Sequence, residues 1–304
     1  MNLHSDKRAF KELVTATSIE LKIPPNIVEK DYYVTLVLHE LSSRIKGMVF
    51  KGGTSLTKCY QILDRFSEDI DISYDASDGP PGESRKRQLK KAITASMEAL
   101  DFPITNLNHT RSRRNYNCYR AEYPTIYTPM LSLKPEIVIE TYIALLPFPT
   151  TVRLADNYIY RFLSQSGLNQ LAERFCLTPF PVTTQSIERT LVDKVFAICD
   201  YYLLGDEGCH SRHLYDLYKI VSNNILNPSL PSLVKEVRHL RALLPVCPSA
   251  ADGMDINRIL TDIIENEVYR SDYENVTKSL LFSPVTYESA ILSLWDIISS
   301  QYFA

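Results

Sequence analysis

Apolar side chains recur at close to helical spacing through the first 46 residues, at Leu13, Ile19, Leu21, Val28, Leu36, Val37 and Leu41. That period predicts helices, and Pro24-Pro25 punctuates them because proline suits the first turn of a new helix. Met48-Val49-Phe50 is a short apolar run ending at Gly52-Gly53 and reads as a buried strand. Thr54–Leu63 reads as a helix with Leu56, Tyr60 and Leu63 on one face and Thr54 as its N-cap. Asp69–Tyr74 alternates polar and apolar residues, the pattern of a half-buried strand. A loop is expected over Asp75–Glu83, a basic amphipathic helix over Ser84–Leu100, and strands over Tyr116–Tyr123 and Lys134–Ile143.

From Thr184 onward the text is helical. Ile187, Leu191, Val195, Ile198 and Tyr202 form one stripe, and further helices are expected at 212–222, 231–243, 256–267 and 285–302. Two proline-bearing stretches, Pro147–Thr151 and Pro179-Phe180-Pro181, are candidate boundaries. The pattern therefore predicts an α+β domain over 1–178 and a helical domain over 179–304, which agrees with about two domains for a chain of 304 residues. There is no internal repeat and no low-complexity tract.

Composition narrows the class. With 45% apolar and 23% charged residues the chain can bury a sizeable core, which excludes wholesale disorder. Its 33 basic and 36 acidic residues give a net charge of −3, which excludes a strongly basic coat for nucleic acid but leaves room for a local basic groove. No apolar run approaches the ~18 residues of a membrane span. The opening MNLHSDKRAFKELV has no apolar core or cleavage pattern, so no signal peptide is expected. The six scattered cysteines contain no CxxC pair and read as reduced thiols of a cytoplasmic protein.

The chemistry concentrates in one stretch. Gly52-Gly53 lies between a predicted strand and a predicted helix, where backbone N–H groups can approach a phosphate and the helix N-terminus adds a favourable dipole. A tight turn with nothing bound would use the same residues. Within about 20 residues follow Asp69 and Asp71, which share a face if both lie on one strand, while Ile70 and Ile72 point to the core. Paired carboxylates repel unless a cation or protons intervene, and Mg²⁺ commonly takes one or two carboxylates plus substrate phosphates. A solvated strand face carrying two acids is the bland alternative. Glu140 ends the apolar run Ile137-Val138-Ile139 and completes a three-carboxylate site if its strand neighbours the first. Otherwise it is an exposed rim residue, with Glu136 a weaker substitute.

The run KGGTSLTKCYQILDRFSEDIDISY, residues 51–74, resembles the AbiEii/AbiGii nucleotidyltransferase toxins of the DNA polymerase beta-like superfamily. The resemblance continues at Ile187-Glu188-Arg189-Thr190-Leu191-Val192-Asp193-Lys194 and at Arg212-His213-Leu214-Tyr215-Asp216-Leu217-Tyr218, in the right order. It implies a polymerase beta-like domain, a mixed sheet flanked by helices, ahead of the helical domain. It implies that Gly52, Gly53, Thr54 and Ser55 hold nucleotide phosphates, that Ser67 faces the triphosphate and that Arg65 orients the loop. Asp69 and Asp71, with Glu140 the loosest match, would bind two Mg²⁺ ions, or Mn²⁺. Lys194 would reach the phosphates and Asp216 would be a functional acid. The residues alone read more blandly: Lys194 flanks a buried stripe and would snorkel to water, and Asp216 would pair with Arg212 on a helix surface. Cys209, His210 and His213 supply zinc-type donors at a spacing that fits no common structural site.

The resemblance further implies a nucleoside triphosphate donor, the 3′ end of tRNA as acceptor, a blocked translation apparatus, and an antitoxin encoded nearby in a type IV toxin–antitoxin or phage-defence system. Basic residues at Arg85, Lys86, Arg87, Lys90 and Lys91, and again at Arg111, Arg113 and Arg114, with Tyr116 and Tyr119 after them, suit a phosphate backbone and unstacked bases. A solvated helix face and loop have the same composition. Two other readings stand beside it: transfer to a protein or small-molecule hydroxyl, and a non-catalytic nucleotide- or RNA-binding module.

Overall fold

A computed structural model describes residues 2–75, 82–127 and 134–304. The chain divides into two compact units, the first comprising Met1–Gln61 and Ser67–Gln185, the second Ile62–Phe66 and Ser186–Ala304.

In the first unit two helices lead, α1 (Lys7–Leu21) and α2 (Pro25–Arg44), with Pro25 in the first turn of α2 as its fixed φ favours. Then follow β1 (Met48–Lys51), α3 (Gly52–Lys58), β2 (Ile70–Tyr74), α4 (Glu83–Ala99), β3 (Tyr116–Glu122) and β4 (Glu136–Tyr142). β5 (Thr150–Ala155), α5 (Tyr158–Gln165), α6 (Asn169–Arg174) and β6 (Phe180–Gln185) complete it. The strands form one mixed sheet of six in the order β3-β4-β2-β1-β6-β5. β2 runs antiparallel to β1 and parallel to β4, and β1 runs parallel to β6.

Period-two alternation gives this sheet two unlike faces. Phe50, Ile70, Ile72, Tyr119, Ala121, Ile137 and Ile139 are buried and form the core side. Around α2 the core is aromatic, with Tyr33 stacked on Tyr123 at 4.5 Å and edge-on to Phe102. Lys51, Asp71, Cys118 and Glu140 occupy the alternate positions and are only half-buried.

Several boundaries differ from the periodicity. α3 starts at Gly52 and stops at Lys58, so Thr54 sits inside it and is not its N-cap; the Ser55 hydroxyl donates back to the Gly52 carbonyl at 2.8 Å. Leu63 falls beyond the helix, past the left-handed backbone of Gln61 at φ +56°. β2 begins at Ile70, leaving Asp69 one residue ahead of the strand. The prolines of Pro147–Thr151 lead straight into β5, and Pro181 lies within β6, where β1 pairs only with the far end through Phe50 and Thr184. Most of the loop expected over Asp75–Glu83 lies outside the described residues, at 76–81.

The second unit is helical: α7 (Ile187–Leu204), α8 (Arg212–Val221), α9 (Leu230–Arg241), α10 (Ile256–Glu265), α11 (Arg270–Asn275) and α12 (Tyr287–Ser300). Ser186 caps α7 by accepting from Arg189 N, and Gly205 ends it in the left-handed conformation. α7 is buried on more than one stripe, since Val192, Phe196 and Cys199 are covered as fully as Leu191, Val195 and Ile198. Ile62–Phe66 belongs here because its backbone is held from this side: Phe66 N donates to Leu280 O at 2.9 Å and Phe282 N to Asp64 O at 3.0 Å. All six cysteines are free thiols, with Cys59, Cys199 and Cys247 buried. Among the described residues no helix is long and apolar enough to cross a membrane.

Candidate functional site

The residues marked by chemistry fall into two groups, one in each unit. In the first unit the register of the sheet sets them in a row. Lys51 pairs with Asp71, Asp71 with Glu140, and Glu140 with Cys118, across four adjacent strands. Residues opposite one another in a sheet project from the same face, so Asp71 and Glu140 stand side by side on the open face. The condition set for Glu140, that its strand neighbour β2, is met. Glu136 lies at the other end of β4 and is engaged by Arg120 at 2.5 Å.

Gly52 abuts this row. Its backbone takes φ +78°, which favours glycine, and a Cβ there would lie 2.9 Å from Asp71 Cγ and still closer to the carboxylate oxygen. The diglycine turn and the acid face thus form one cradle, open only because position 52 has no side chain. Thr54 and Ser67 also come together, their hydroxyls 2.9 Å apart. Ser55 is turned inward and fully buried, its hydroxyl spent on Gly52 O. α3 spans seven residues, so exposed backbone N–H groups matter more here than a long helix dipole.

The electrostatics agree with an acid-rich face. Tyr116 donates its hydroxyl to Glu140 Oε1 at 2.9 Å. Burial raises the Tyr116 phenol, and the Glu140 bond and the Glu140 and Asp71 charges raise it further. Burial likewise raises the Cys118 thiol, reinforced by Glu140 and, more weakly, Asp69. Lys51 lies over the Tyr142 ring, 5.4 Å from its centroid, and supplies a cation at the edge of the row. Among the described residues no three His, Cys, Asp or Glu side chains are grouped to hold a metal ion. Asp71 and Glu140 offer hard oxygen donors in part, and Mg²⁺ commonly completes such a set with substrate phosphates and water. The cradle and the donor chemistry both fit that ion.

The second group is Arg65, Lys194 and Asp216. Asp216 is completely buried and receives two parallel bonds from Arg65, Nε at 2.7 Å and Nη2 at 2.8 Å, and a third from Lys194 Nζ at 2.6 Å. Burial alone would raise the Asp216 carboxyl, but the guanidinium and ammonium beside it hold it well below the usual range. Burial pushes the Lys194 ammonium below its ordinary value. His213 Nδ1 lies 3.2 Å from Lys194 Nζ, and burial followed by that charge keeps its ring neutral. Both bland readings are overturned. Lys194 does not snorkel to water but turns in to Asp216, and Asp216 forms no surface pair with Arg212 because it is buried against Arg65, 151 residues earlier in sequence. Arg65 also donates Nη1 to Phe66 O at 2.8 Å, within the Ile62–Phe66 segment.

The two basic clusters share one surface of the first unit. Lys86 donates to Asn115 Oδ1 at 2.6 Å and Lys90 to Thr110 O at 3.0 Å, which lays α4 along the 110–115 segment. Tyr116, next along the chain, is exposed, whereas Tyr119 is buried on the core side and cannot stack a base. Sequence reasoning missed Lys51 and the Tyr116–Glu140 bond; alternation from Cys118 puts Tyr116 on its face of β3, but both contacts depend on which strands are neighbours.

The model of a family described as nucleotidyl transferase AbiEii toxin of type IV toxin–antitoxin systems matches residues 37–293. Among solved structures the fold is similar to MenT4, a nucleotidyltransferase toxin from Mycobacterium tuberculosis H37Rv, with a TM-score of 0.53 and 14% identity over 96% of this chain and 88% of that one. At that identity the likeness speaks for the fold. Comparison with curated proteins gives no match. The matched span takes in the diglycine turn, the acid row and the buried Asp216 cluster, and the chain is a nucleotidyltransferase that belongs to the AbiEii family of type IV toxins.

Proposed function

We propose that this enzyme transfers nucleotides from a nucleoside triphosphate to the 3′ acceptor end of tRNA and so blocks aminoacylation. The observation that carries the reading is the contact of the Gly52 turn with the Asp71 carboxylate, with Glu140 in register beside it. A triphosphate laid against Gly52 and Gly53 would meet backbone N–H donors, with the Thr54 and Ser67 hydroxyls close by. Asp71 and Glu140 would hold Mg²⁺, or Mn²⁺, with Asp69, just ahead of the strand, as the third candidate ligand; when bound the ion neutralises charge on the phosphates and activates the attacking hydroxyl. Lys51 adds positive charge at the rim of the same face. Tyr116 holds Glu140 in place, and in the second unit Arg65, Lys194 and Asp216 together fix Ile62–Phe66.

The acceptor is argued from the shared basic surface of α4 and the 110–115 segment, which ends at the exposed Tyr116 beside Glu140. Lysines and arginines there suit a phosphate backbone, and one exposed aromatic suits an unstacked terminal base. The test is incubation of the purified chain with each labelled nucleoside triphosphate, Mg²⁺ and total tRNA. Label on tRNA 3′ ends supports the reading. Label confined to protein or a small molecule replaces the acceptor, and nucleotide binding with no transfer under any condition overturns the assignment.

A further inference from the structure

Helix α2 carries three consecutive charged residues, Glu29, Lys30 and Asp31, in its second turn, and all three are buried, with relative exposures of 1%, 1% and 5%. Their neighbours on both sides, Ile27, Val28, Tyr32, Tyr33 and Val34, are apolar or aromatic. Removing three charges from water costs several kcal/mol each unless every one is paired, and well-packed apolar residues would serve stability as well or better. A run of this kind calls for a reason other than stability.

Each charge holds a different segment. Successive helical residues point about 100° apart, so three in a row fan out in three directions. Glu29 accepts from Thr125 Oγ1 at 2.6 Å and from Ile126 N at 2.7 Å. Lys30 forms an ion pair with Glu68 and donates to Lys134 O at 3.0 Å. Asp31 accepts from Lys58 Nζ at 2.6 Å and from Tyr158 N at 2.9 Å, and Lys58 also donates to Thr35 Oγ1 at 2.6 Å. Two of these partners bear on the site. Glu68 stands between Ser67 and Asp69, and Lys58 is the last residue of the helix that Gly52 and Gly53 begin.

We propose that Lys30 and Asp31 are positioning residues for nucleotidyl transfer: Lys30, through Glu68, sets the backbone that presents Ser67 and Asp69, and Asp31, through Lys58, sets the helix that presents the diglycine turn. Glu29 pins the segment after β3 and completes the anchor. The proposal rests on the reading of the acid face as the transfer site. One rigid helix then fixes the phosphate-binding turn and the carboxylate loop against each other, which is what a reaction that depends on placement requires. Neither residue touches substrate in this arrangement.

Glu68→Gln is the decisive variant. The Glu68 side chain is 30% exposed, so a neutral amide there is hydrated and the chain still folds, while Lys30, at 1% exposure, loses its counter-charge and the melting temperature falls. The Mg²⁺ concentration for half-maximal transfer should rise about 10-fold, and kcat should fall while KM for the nucleotide changes less, as for loss of a group that orients a ligand. Calorimetric titration of the variant with a non-hydrolysable nucleoside triphosphate, at a temperature where it is fully folded, should show the Mg²⁺-dependent part of binding weakened. Asp31→Asn should instead raise KM and the dissociation constant for the nucleotide. In Lys30→Met, adding Glu68→Gln should cost nothing further. Glu68→Gln with wild-type binding, kcat and Mg²⁺ response overturns the proposal, and so do losses that merely follow the melting temperature across the series. Asp71→Asn run in parallel separates the two readings: an inactive Asp71→Asn beside a normal Glu68→Gln removes the positioning role alone, whereas an active Asp71→Asn removes the site itself.

Discussion

The Asp71 carboxylate occupies the space into which any side chain at Gly52 would grow. The backbone at Gly52 is also left-handed, at φ +78°. Alanine there therefore meets two penalties, a strained φ of about 1–3 kcal/mol and displacement of the acid. Gly52→Ala should lower transfer about 100-fold, since a shift near 1 Å at a reacting group costs that much, with only a modest fall in melting temperature. An active Gly52→Ala enzyme would show that the turn and the acid are neighbours without a shared task.

Asp69 and Asp71 differ in how the fold holds them. Asp71 is locked by the pleat of β2 between Lys51 and Glu140, whereas Asp69 lies ahead of the strand. Asp71→Asn and Asp69→Ala should both reduce nucleotidyl transfer to background with unfolding curves close to wild type, because both positions are only half-buried. Transfer at the wild-type rate in either variant would remove that residue from the site.

Much of this arrangement is legible in the chain itself. Ile70 and Ile72 alternate with Asp71, so a strand with one acidic face follows from period two alone, and the stripes of the later helices follow from period 3.6. The sheet beyond β4 is not legible. β5 is an edge strand whose Val152 and Leu154 are exposed, so it shows no inward apolar alternation, and β6 carries Pro181 as its second residue. The acid row needed a fact that no local pattern contains, that β4 lies beside β2. The bland readings of Lys194 and Asp216 fail for a similar reason. A lysine beside an apolar stripe ordinarily reaches water, and only the tertiary fold brings Arg65 and the Asp216 carboxylate to cover it.

Arg65 and Asp216 form a buried ion pair in the helical unit, with two parallel bonds and a third from Lys194. Removing one partner leaves an uncompensated buried charge, so Arg65→Ala and Asp216→Asn should each destabilise by about 3–5 kcal/mol. Arg65→Lys should recover only part of that, because an ammonium cannot make the paired planar bonds of a guanidinium. Urea unfolding of the three variants checks the order. A lysine variant as stable as wild type would show that charge alone, and not the forked geometry, holds Ile62–Phe66.

The neutral His213 ring beside Lys194 makes stability depend on pH in one direction. Burial and the Lys194 charge hold the folded-state His213 well below its ordinary value of 6.5. The unfolded chain takes up that proton at about pH 6.5, so below it the unfolded state binds more protons and stability falls as pH falls. The slope from one such group is at most about 1.4 kcal/mol per pH unit. His4 and His210, also lowered by burial, add to it in the same sense. Asp216 acts at lower pH: its depressed carboxyl contributes stability above the ordinary carboxylate range and loses it as protonation sets in below that range. His213→Gln should therefore remove about one proton's share of the slope between pH 7 and 5 and leave the more acidic limb in place, as measured by urea unfolding at each pH. An unchanged slope in that variant would mean that His213 is already charged in the folded protein and that the 3.2 Å contact with Lys194 is not an acceptor's contact.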